Sequence, residues 1–200
     1  AYFILKPGDE LPIYQPKDIN PALVDQAVRN RTDHRVSDFR LVNQLGDTVS
    51  RADVGDKIIV ANFFFAKCAT ICPVMNANMS KIHEANKQAN DLMLLSHSVT
   101  PDIDSVAVLY EYAERFNADN SRWWFLTGDK KQIYDLARRS YFAVLDEGDG
   151  GLQDFIHTEN IVLIDRLGRL RGYYDGTKGE DIDQIISDIE ILRKEEIALE

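Results

Sequence analysis

Both cysteines of the sequence lie in one short segment, Phe63-Phe64-Phe65-Ala66-Lys67-Cys68-Ala69-Thr70-Ile71-Cys72-Pro73. The three residues between Cys68 and Cys72 bring the two sulfur atoms close enough to form a disulfide or to chelate one metal ion. The segment leads into a helical pattern, and a helix N-terminus lowers the pKa of a nearby thiol, as does the positive charge of Lys67. Thioredoxin-type motifs have two intervening residues, which disfavours a dedicated disulfide catalyst. The pair therefore predicts metal or redox chemistry, although two inert buried cysteines would fit the same spacing.

A third metal ligand would have to come from the four histidines. His157 lies just ahead of a predicted strand and after a stretch rich in Gly and Asp at 146–151, which we expect to be flexible. A histidine on a mobile loop can close over a site at the end of a strand, as capture and release of a metal require. His97 falls inside a predicted strand and is expected to be packed, whereas His34 falls in a polar stretch and is expected to face solvent.

The remaining histidine, His83, shares a predicted helix face with Cys72, Met75 and Met79, because these residues recur at +3, +7 and +11. Thioether and imidazole groups both suit copper. Methionine also fills irregular protein interiors, so we interpret this stripe as core packing.

Strand and helix patterns alternate along the rest of the chain. The predicted strands are 36–42, 58–65, 92–99 and 123–126, followed by a hairpin of 161–164 and 170–174 that turns at Gly168. The predicted helices are 73–89, 104–116, 130–139 and about 180–196. This order predicts an α/β sandwich with a mixed central sheet flanked by helices. Ligands bind such folds beyond the carboxyl ends of the parallel strands, where the cysteine segment falls.

Length and composition limit the classes of protein that remain. The chain has 200 residues, of which 44% are hydrophobic, and its formal charge is 23 − 33 = −10. These values suit one folded domain and argue against nucleic-acid binding, since phosphate backbones attract positive surfaces. No apolar run approaches the ~20 residues that span a bilayer. Four prolines in residues 6–21 predict an extended N-terminal segment, so we divide the chain into an extension, 1–33, and a domain, 34–200.

The combined order of these features resembles the Sco/SenC family of thioredoxin-fold copper proteins, which assist assembly of the binuclear copper centre of cytochrome c oxidase. The resemblance rests on the segment from Cys68 to Pro73, then Ser98-Val99-Thr100-Pro101 followed by Asp104, and on His157. Tyr112-Ala113-Glu114-Arg115-Phe116 and Trp124-Phe125-Leu126-Thr127-Gly128 complete it. It implies a thioredoxin-like fold in which Cys68, Cys72 and His157 are the copper ligands.

The chain departs from the usual family pattern at three positions. Ala69 stands where a proline usually follows the first cysteine, Ile156 where an aspartate often precedes the histidine, and Thr100 where an aspartate usually precedes the mid-chain proline. A missing carboxylate beside His157 could change how its imidazole is oriented, because such partners tune metal ligands. Asp154 is our candidate for a substitute.

The leading hypothesis is a copper metallochaperone in which two thiolates bind Cu(I), His157 completes a near-trigonal site, and further nitrogen or oxygen ligands accommodate Cu(II). The alternative is a thiol–disulfide oxidoreductase in which Cys68 attacks and Cys72 resolves the mixed disulfide. This alternative is disfavoured because no proline follows Pro101, whereas such enzymes commonly place a proline opposite their cysteines. A copper or redox sensor would use the same residues. A peroxidase is less favoured, because neither an activating arginine nor a Thr or Ser partner is evident around Cys68.

The resemblance also implies partners and a location. The partners would be a copper-accepting subunit of cytochrome c oxidase or another exported cuproprotein, together with a thiol reductant. The domain would lie on the periplasmic side of a bacterial inner membrane, held there by an anchor outside this chain. The N-terminus, Ala1-Tyr2-Phe3-Ile4-Leu5, has neither the basic region nor the length of a signal peptide.

Overall fold

The computed structural model describes residues 10–144, 151 and 154–197. Most of the stretch that we expect to be flexible, 146–151, lies outside the described residues. A five-stranded sheet at the centre of the structure has the order β5-β4-β3-β6-β7, and a separate two-stranded ribbon joins β1 to β2. The strands are β1 (Arg40–Val42), β2 (Thr48–Ser50), β3 (Ile58–Phe64), β4 (Leu92–Ser98), β5 (Trp123–Leu126), β6 (Asn160–Ile164) and β7 (Leu170–Asp175).

The direction of each strand gives the mixed sheet that the sequence predicts. Strand β4 pairs in parallel with both β3 and β5, whereas β6 runs antiparallel to β3 and to β7. All seven residues of β3 are buried, as expected for a strand covered on both faces. Ile59 and Phe63 pack into the core on one face of the sheet, and Val60 and Phe64 pack into the core on the other.

Helices cover both faces of the sheet. They are α1 (Arg51–Val54), α2 (Ile71–Ala85), α3 (Val106–Arg115), α4 (Lys130–Asp135) and α5 (Gly179–Ile197). Apolar residues of α2, α3 and α5 share one core with Phe64, and those of α4 share the opposite core with Phe63. The predicted α/β sandwich is therefore confirmed. None of the helices in the described ranges is long and apolar enough to cross a membrane.

The N-terminal segment is less extended than the prolines predict. Short 3₁₀ turns occupy Pro16–Asp18 and Pro21–Leu23, each beginning at a proline whose fixed φ suits the first turn of a helix. Ahead of them, Tyr14 donates a backbone hydrogen bond to the Leu170 carbonyl at 2.9 Å. This segment therefore lies along β7, at the edge of the sheet.

A buried ion pair holds the N-terminal segment in place. The Arg171 guanidinium donates to the backbone carbonyls of Leu11 and Pro12 and also contacts the carboxylates of Asp165 and Glu195. Glu195 in turn accepts a hydrogen bond from the backbone N–H of Leu11. This network joins the N-terminal segment to β7 and to the last helix.

Several predicted elements are shorter in the structure, and a contact accounts for two of them. The predicted strand at 36–42 is reduced to β1, because the Val36 N–H bonds to the Gly168 carbonyl of the distant hairpin turn. The predicted helix at 130–139 changes to π-helical geometry over Leu136–Ser140, where Tyr141 donates to the Leu136 carbonyl five residues back. This wider turn includes Arg138, which is buried and pairs with Asp154.

The prediction for His34 is wrong. Its ring is half-buried rather than facing solvent, because Nε2 lies 2.8 Å from the Ser140 carbonyl and the imidazole packs on Phe142 with ring centroids 4.7 Å apart. His97 is packed as expected: it is fully buried and stacks on Phe63. His83, Met75 and Met79 are also buried in the core, which confirms that interpretation of the helical stripe.

Candidate functional site

The two cysteines lie where the sheet meets α2. Strand β3 ends at Phe64, and a tight turn follows in which the Cys68 N–H bonds to the Phe65 carbonyl at 3.1 Å. Helix α2 then begins, with Cys72 in its first turn. Both thiols are free and buried, and Cys68 retains 7% of its surface exposed.

The helix N-terminus acts directly on Cys68. Its sulfur accepts a hydrogen bond from the backbone N–H of Cys72, with Sγ and N separated by 3.5 Å. Burial opposes ionisation of the Cys68 thiol, but hydrogen bonds from Cys72 and Thr70 outweigh it and lower the pKa to about 7. Burial and the neighbouring Cys68 sulfur instead raise the pKa of Cys72 to about 12. The pair is therefore asymmetric, with one thiol half-ionised near neutral pH and the other protonated.

Thr70 is a partner that sequence reasoning missed. Its hydroxyl lies 3.6 Å from the Cys68 sulfur, and it can donate to the thiolate. The expectation that no Thr or Ser partner is evident around Cys68 is therefore wrong. The available signal was proximity in the sequence: Thr70 lies two residues after Cys68 and directly before α2, where its hydroxyl makes no capping hydrogen bond to the helix.

The segment that carries His157 passes close to the turn from Phe65 to Cys68, which we call the cysteine turn. Phe155, two residues before the histidine, packs edge-on against Phe65, three residues before Cys68, with ring centroids 5.3 Å apart. Burial alternates along the segment: Ile156 and Thr158 are buried, whereas Phe155 and His157 are exposed. The Thr158 hydroxyl donates to the Ala143 carbonyl at 2.9 Å and so fixes the far side of the segment.

Nothing in the described ranges gathers three His, Cys, Asp or Glu side chains closely enough to hold a metal ion. The two cysteines are brought together, and the His157 segment is brought alongside them, but the three side chains do not form a ready-made cluster. The assignment of Cys68, Cys72 and His157 as ligands therefore stays a prediction.

Asp154, our candidate partner for His157, makes a salt bridge. Its carboxylate accepts two hydrogen bonds from the Arg138 guanidinium, both at 2.6 Å, and both side chains are nearly buried. The Asp154 carbonyl also accepts hydrogen bonds from Lys130 and from the Tyr134 hydroxyl. These bonds anchor the start of the segment that leads to His157.

Comparison with known proteins places these features in context. A family model described as SCO1/SenC matches residues 27–193. The crystal structure of a SCO1/SenC family lipoprotein from Bacillus anthracis is 30% identical, with a TM-score of 0.71 over 82% of this chain and 98% of that chain. The structure of BsSco, described as a member of the Sco family of cytochrome c oxidase assembly proteins with a disulfide switch, is also 30% identical. Its TM-score is 0.68 over 82% of this chain and 95% of that one.

A more distant structure shares the fold. ScoI from Bradyrhizobium japonicum, solved with copper bound, is 23% identical, with a TM-score of 0.62 over 78% of this chain and 98% of that chain. These structures agree with the mixed sheet and flanking helices described above, and so with a thioredoxin-like fold.

Proposed function

The chain belongs to the SCO1/SenC family, and from that premise we propose that it is a copper metallochaperone. Its cargo would bind through the sulfurs of Cys68 and Cys72 and the imidazole of His157. The proposal rests on one observation above others: two free thiols share the N-terminus of α2, and one of them has a pKa of about 7. Thiolates, which are soft ligands, favour Cu(I).

Ionisation of the thiols governs capture of the metal. A thiol must lose its proton before it binds copper, and Cys68 does so near neutral pH. Cys72, whose pKa is about 12, would lose its proton only as the cation arrives and offsets the cost of burying a second negative charge. Cys68 is therefore the first ligand to engage, and Cys72 the second.

His157 would supply the third ligand. Its side chain is exposed, and the Phe155–Phe65 contact holds its segment beside the cysteine turn. A movement of the exposed residues of this segment would have to bring the imidazole to the sulfurs, while the Asp154–Arg138 pair anchors the start of the segment. Release of the metal would reverse that movement, or would follow exchange with an external disulfide, which is reduced to two thiols while Cys68 and Cys72 form a disulfide and cease to be ligands.

The destination of the metal is proposed from relatives. BsSco is described as one of the cytochrome c oxidase assembly proteins, and the ScoI structure contains copper. We therefore propose delivery to the binuclear copper centre of an oxidase subunit or to another exported cuproprotein. The Bacillus anthracis relative is described as a lipoprotein, which supports a domain tethered to a membrane. Its location on the periplasmic side of a bacterial inner membrane stays a prediction.

A copper titration of the reduced protein tests the proposal. We expect the wild-type chain to retain one Cu(I) per molecule, the C68S/C72S variant to retain none, and His157→Ala to bind at least about tenfold more weakly. His34→Ala is the matched control, because His34 is the other histidine with solvent exposure. Undiminished affinity in His157→Ala would remove that residue from the site, and a wild-type protein without copper would refute the proposal.

The asymmetry of the two thiols also supports the second candidate, a thiol–disulfide oxidoreductase. The Cys68 thiolate would attack a substrate disulfide, and one substrate sulfur would leave as a thiolate and take up a proton. Cys72 would then lose its proton and displace the second substrate sulfur, leaving a Cys68–Cys72 disulfide that an external thiol reductant must reduce. Rapid turnover of a disulfide substrate by a protein that retains no copper would favour this function.

A further inference from the structure

A fully buried carboxylate lies beside the cysteine turn and has no part in the ligand set. Asp104 precedes α3, and its oxygen Oδ2 accepts three hydrogen bonds. The donors are the Ala66 N–H at 3.1 Å, the Ser98 hydroxyl at 2.6 Å and the Thr100 hydroxyl at 3.0 Å. One side chain therefore joins the turn after β3, the end of β4 and the approach to α3.

We propose that Asp104 is a positioning residue that sets the reactivity of the Cys68–Cys72 pair by holding the Ala66 N–H. This inference rests on the proposed function in one respect: it takes Cys68 and Cys72 as the residues that carry out the function. Asp104 acts as a hydrogen-bond acceptor at one oxygen rather than through its charge.

The path from Asp104 to the sulfur is short. Ala66 lies inside the four-residue turn that the bond between the Cys68 N–H and the Phe65 carbonyl closes. Fixing the Ala66 amide fixes the plane of that turn, which carries the Cys68 sulfur to within 3.5 Å of the Cys72 nitrogen. Without the acceptor, the turn could rotate and the sulfur would lose the hydrogen bond that the Cys72 N–H donates to it.

The other oxygen of Asp104 separates the role of the acceptor from the role of the charge. Oδ1 is buried and finds no hydrogen-bond donor among the residues that the structure describes. An asparagine can keep its amide oxygen in the place of Oδ2 and put its nitrogen in the place of Oδ1. Asp104→Asn therefore retains the bond to Ala66 while removing the charge, whereas Asp104→Ala removes both.

Thr100, one of the three departures from the usual family pattern, contacts Asp104. Its hydroxyl donates to Asp104, whereas the more usual aspartate would place a second acceptor against the same oxygen. Thr100 therefore supplies one of the three donors to Oδ2.

The experiment uses the reduced, metal-free protein, so its result does not depend on whether the protein binds copper. We would measure the rate at which iodoacetamide alkylates Cys68 at pH 7 and the equilibrium of the Cys68–Cys72 disulfide with dithiothreitol. For Asp104→Ala we expect alkylation about fivefold slower and an equilibrium shifted severalfold toward the disulfide, because the reduced pair loses the hydrogen bond from the Cys72 N–H to the Cys68 sulfur. For Asp104→Asn we expect both values within about twofold of wild type, since the acceptor is kept.

Asp188→Ala is the matched control. Asp188 is a buried carboxylate on α5 that accepts hydrogen bonds from Tyr174 and Gln184, so its loss costs stability without touching the turn. Wild-type alkylation in Asp104→Ala would overturn the proposal, and so would an equal loss in Asp104→Asn, which would assign the effect to charge. If Asp104→Ala does not fold, Ser98→Ala removes the shortest bond to Oδ2. We expect that variant to slow alkylation about twofold, and an unchanged rate would again contradict the proposal.

Discussion

The ring of Phe155 packs edge-on against the ring of Phe65, at 5.3 Å between centroids and 76° between planes. Phe65 begins the turn that ends at Cys68, and its carbonyl accepts the Cys68 N–H. Phe155 is itself 51% exposed, so the contact holds two surface segments together without belonging to the interior of either core. It links the histidine segment to the turn that leads to Cys68.

Phe155→Ala should therefore weaken copper binding more than it weakens the fold. An aromatic pair of this geometry contributes about 0.5–1.5 kcal/mol. If the contact positions His157, its loss should lower Cu(I) affinity by up to about tenfold, measured by competition with a chromophoric Cu(I) chelator. Leu167→Ala, at a site 54% exposed in the turn between β6 and β7, is the control. Equal affinities in the two variants would show that the contact does not position the histidine.

Alkylation should distinguish the two cysteines. Because the pKa of Cys68 is about 7 and that of Cys72 is about 12, iodoacetamide at a pH of about 7 should modify Cys68 first. The rate should rise with pH through about 7 and then level off. Mass spectrometry of the modified peptide gives the site. The fast phase should persist in Cys72→Ser and vanish in Cys68→Ser, and the reverse result would contradict the assignment of the low pKa.

The Thr70 hydroxyl should contribute to that low pKa. Thr70→Val keeps the shape of the side chain and removes the donor 3.6 Å from the Cys68 sulfur, so the midpoint of the alkylation profile should move to higher pH. Thr70→Ser restores a hydroxyl and should restore the profile. Thr70 is exposed, so neither change should shift the free energy of unfolding by more than about 0.5 kcal/mol. A Thr70→Val profile identical to wild type would exclude the hydroxyl as a donor.

His97 should make the protein sensitive to acid. Burial lowers the pKa of this imidazole from 6.5 to about 4. The unfolded chain takes up the proton first, so the stability provided by neutral His97 is complete above pH 6.5 and is lost as pH falls toward 4. The loss is on the order of 3 kcal/mol. Urea denaturation at several pH values gives the slope of stability against pH.

His97→Phe is the matched variant, because the neighbours of the ring are Phe63, Phe39 and Tyr141. Its slope between pH 4 and 6.5 should be smaller than that of wild type by up to one proton. Part of the slope should remain, since burial also lowers the pKa of His34 and of His83. Identical slopes in wild type and variant would show that His97 is not the group responsible.

Local patterns were sufficient for the central sheet and for the cysteine pair. The apolar run at 58–65 predicts a strand buried on both faces, and the structure places β3 there with the cysteines just beyond its carboxyl end. The hairpin at Gly168 follows from a single residue, which has φ of +79°, in the left-handed region that glycine adopts without strain. These features depend on residues that are neighbours in the sequence.

The features that sequence reasoning missed depend on distant contacts. His34 is half-buried because of Ser140, which lies 106 residues away, and β1 is short because Val36 pairs with Gly168. Thr70 is the exception, because its hydroxyl lies beside a sulfur only two residues away. No periodicity in the chain encodes such pairings. The division into an extension at 1–33 and a domain at 34–200 stays a prediction.

The hydrogen-bond network around Arg171 determines how the protein would respond to a force on its N-terminal segment. Tension applied to the segment near Leu11 would be borne by the guanidinium, by the Glu195 carboxylate and by the edge strand β7. The cysteine turn follows β3, which is separated from β7 by β6. A force on the N-terminal segment would therefore act first on the edge of the sheet, and we expect it to leave the distance between the two sulfurs unchanged.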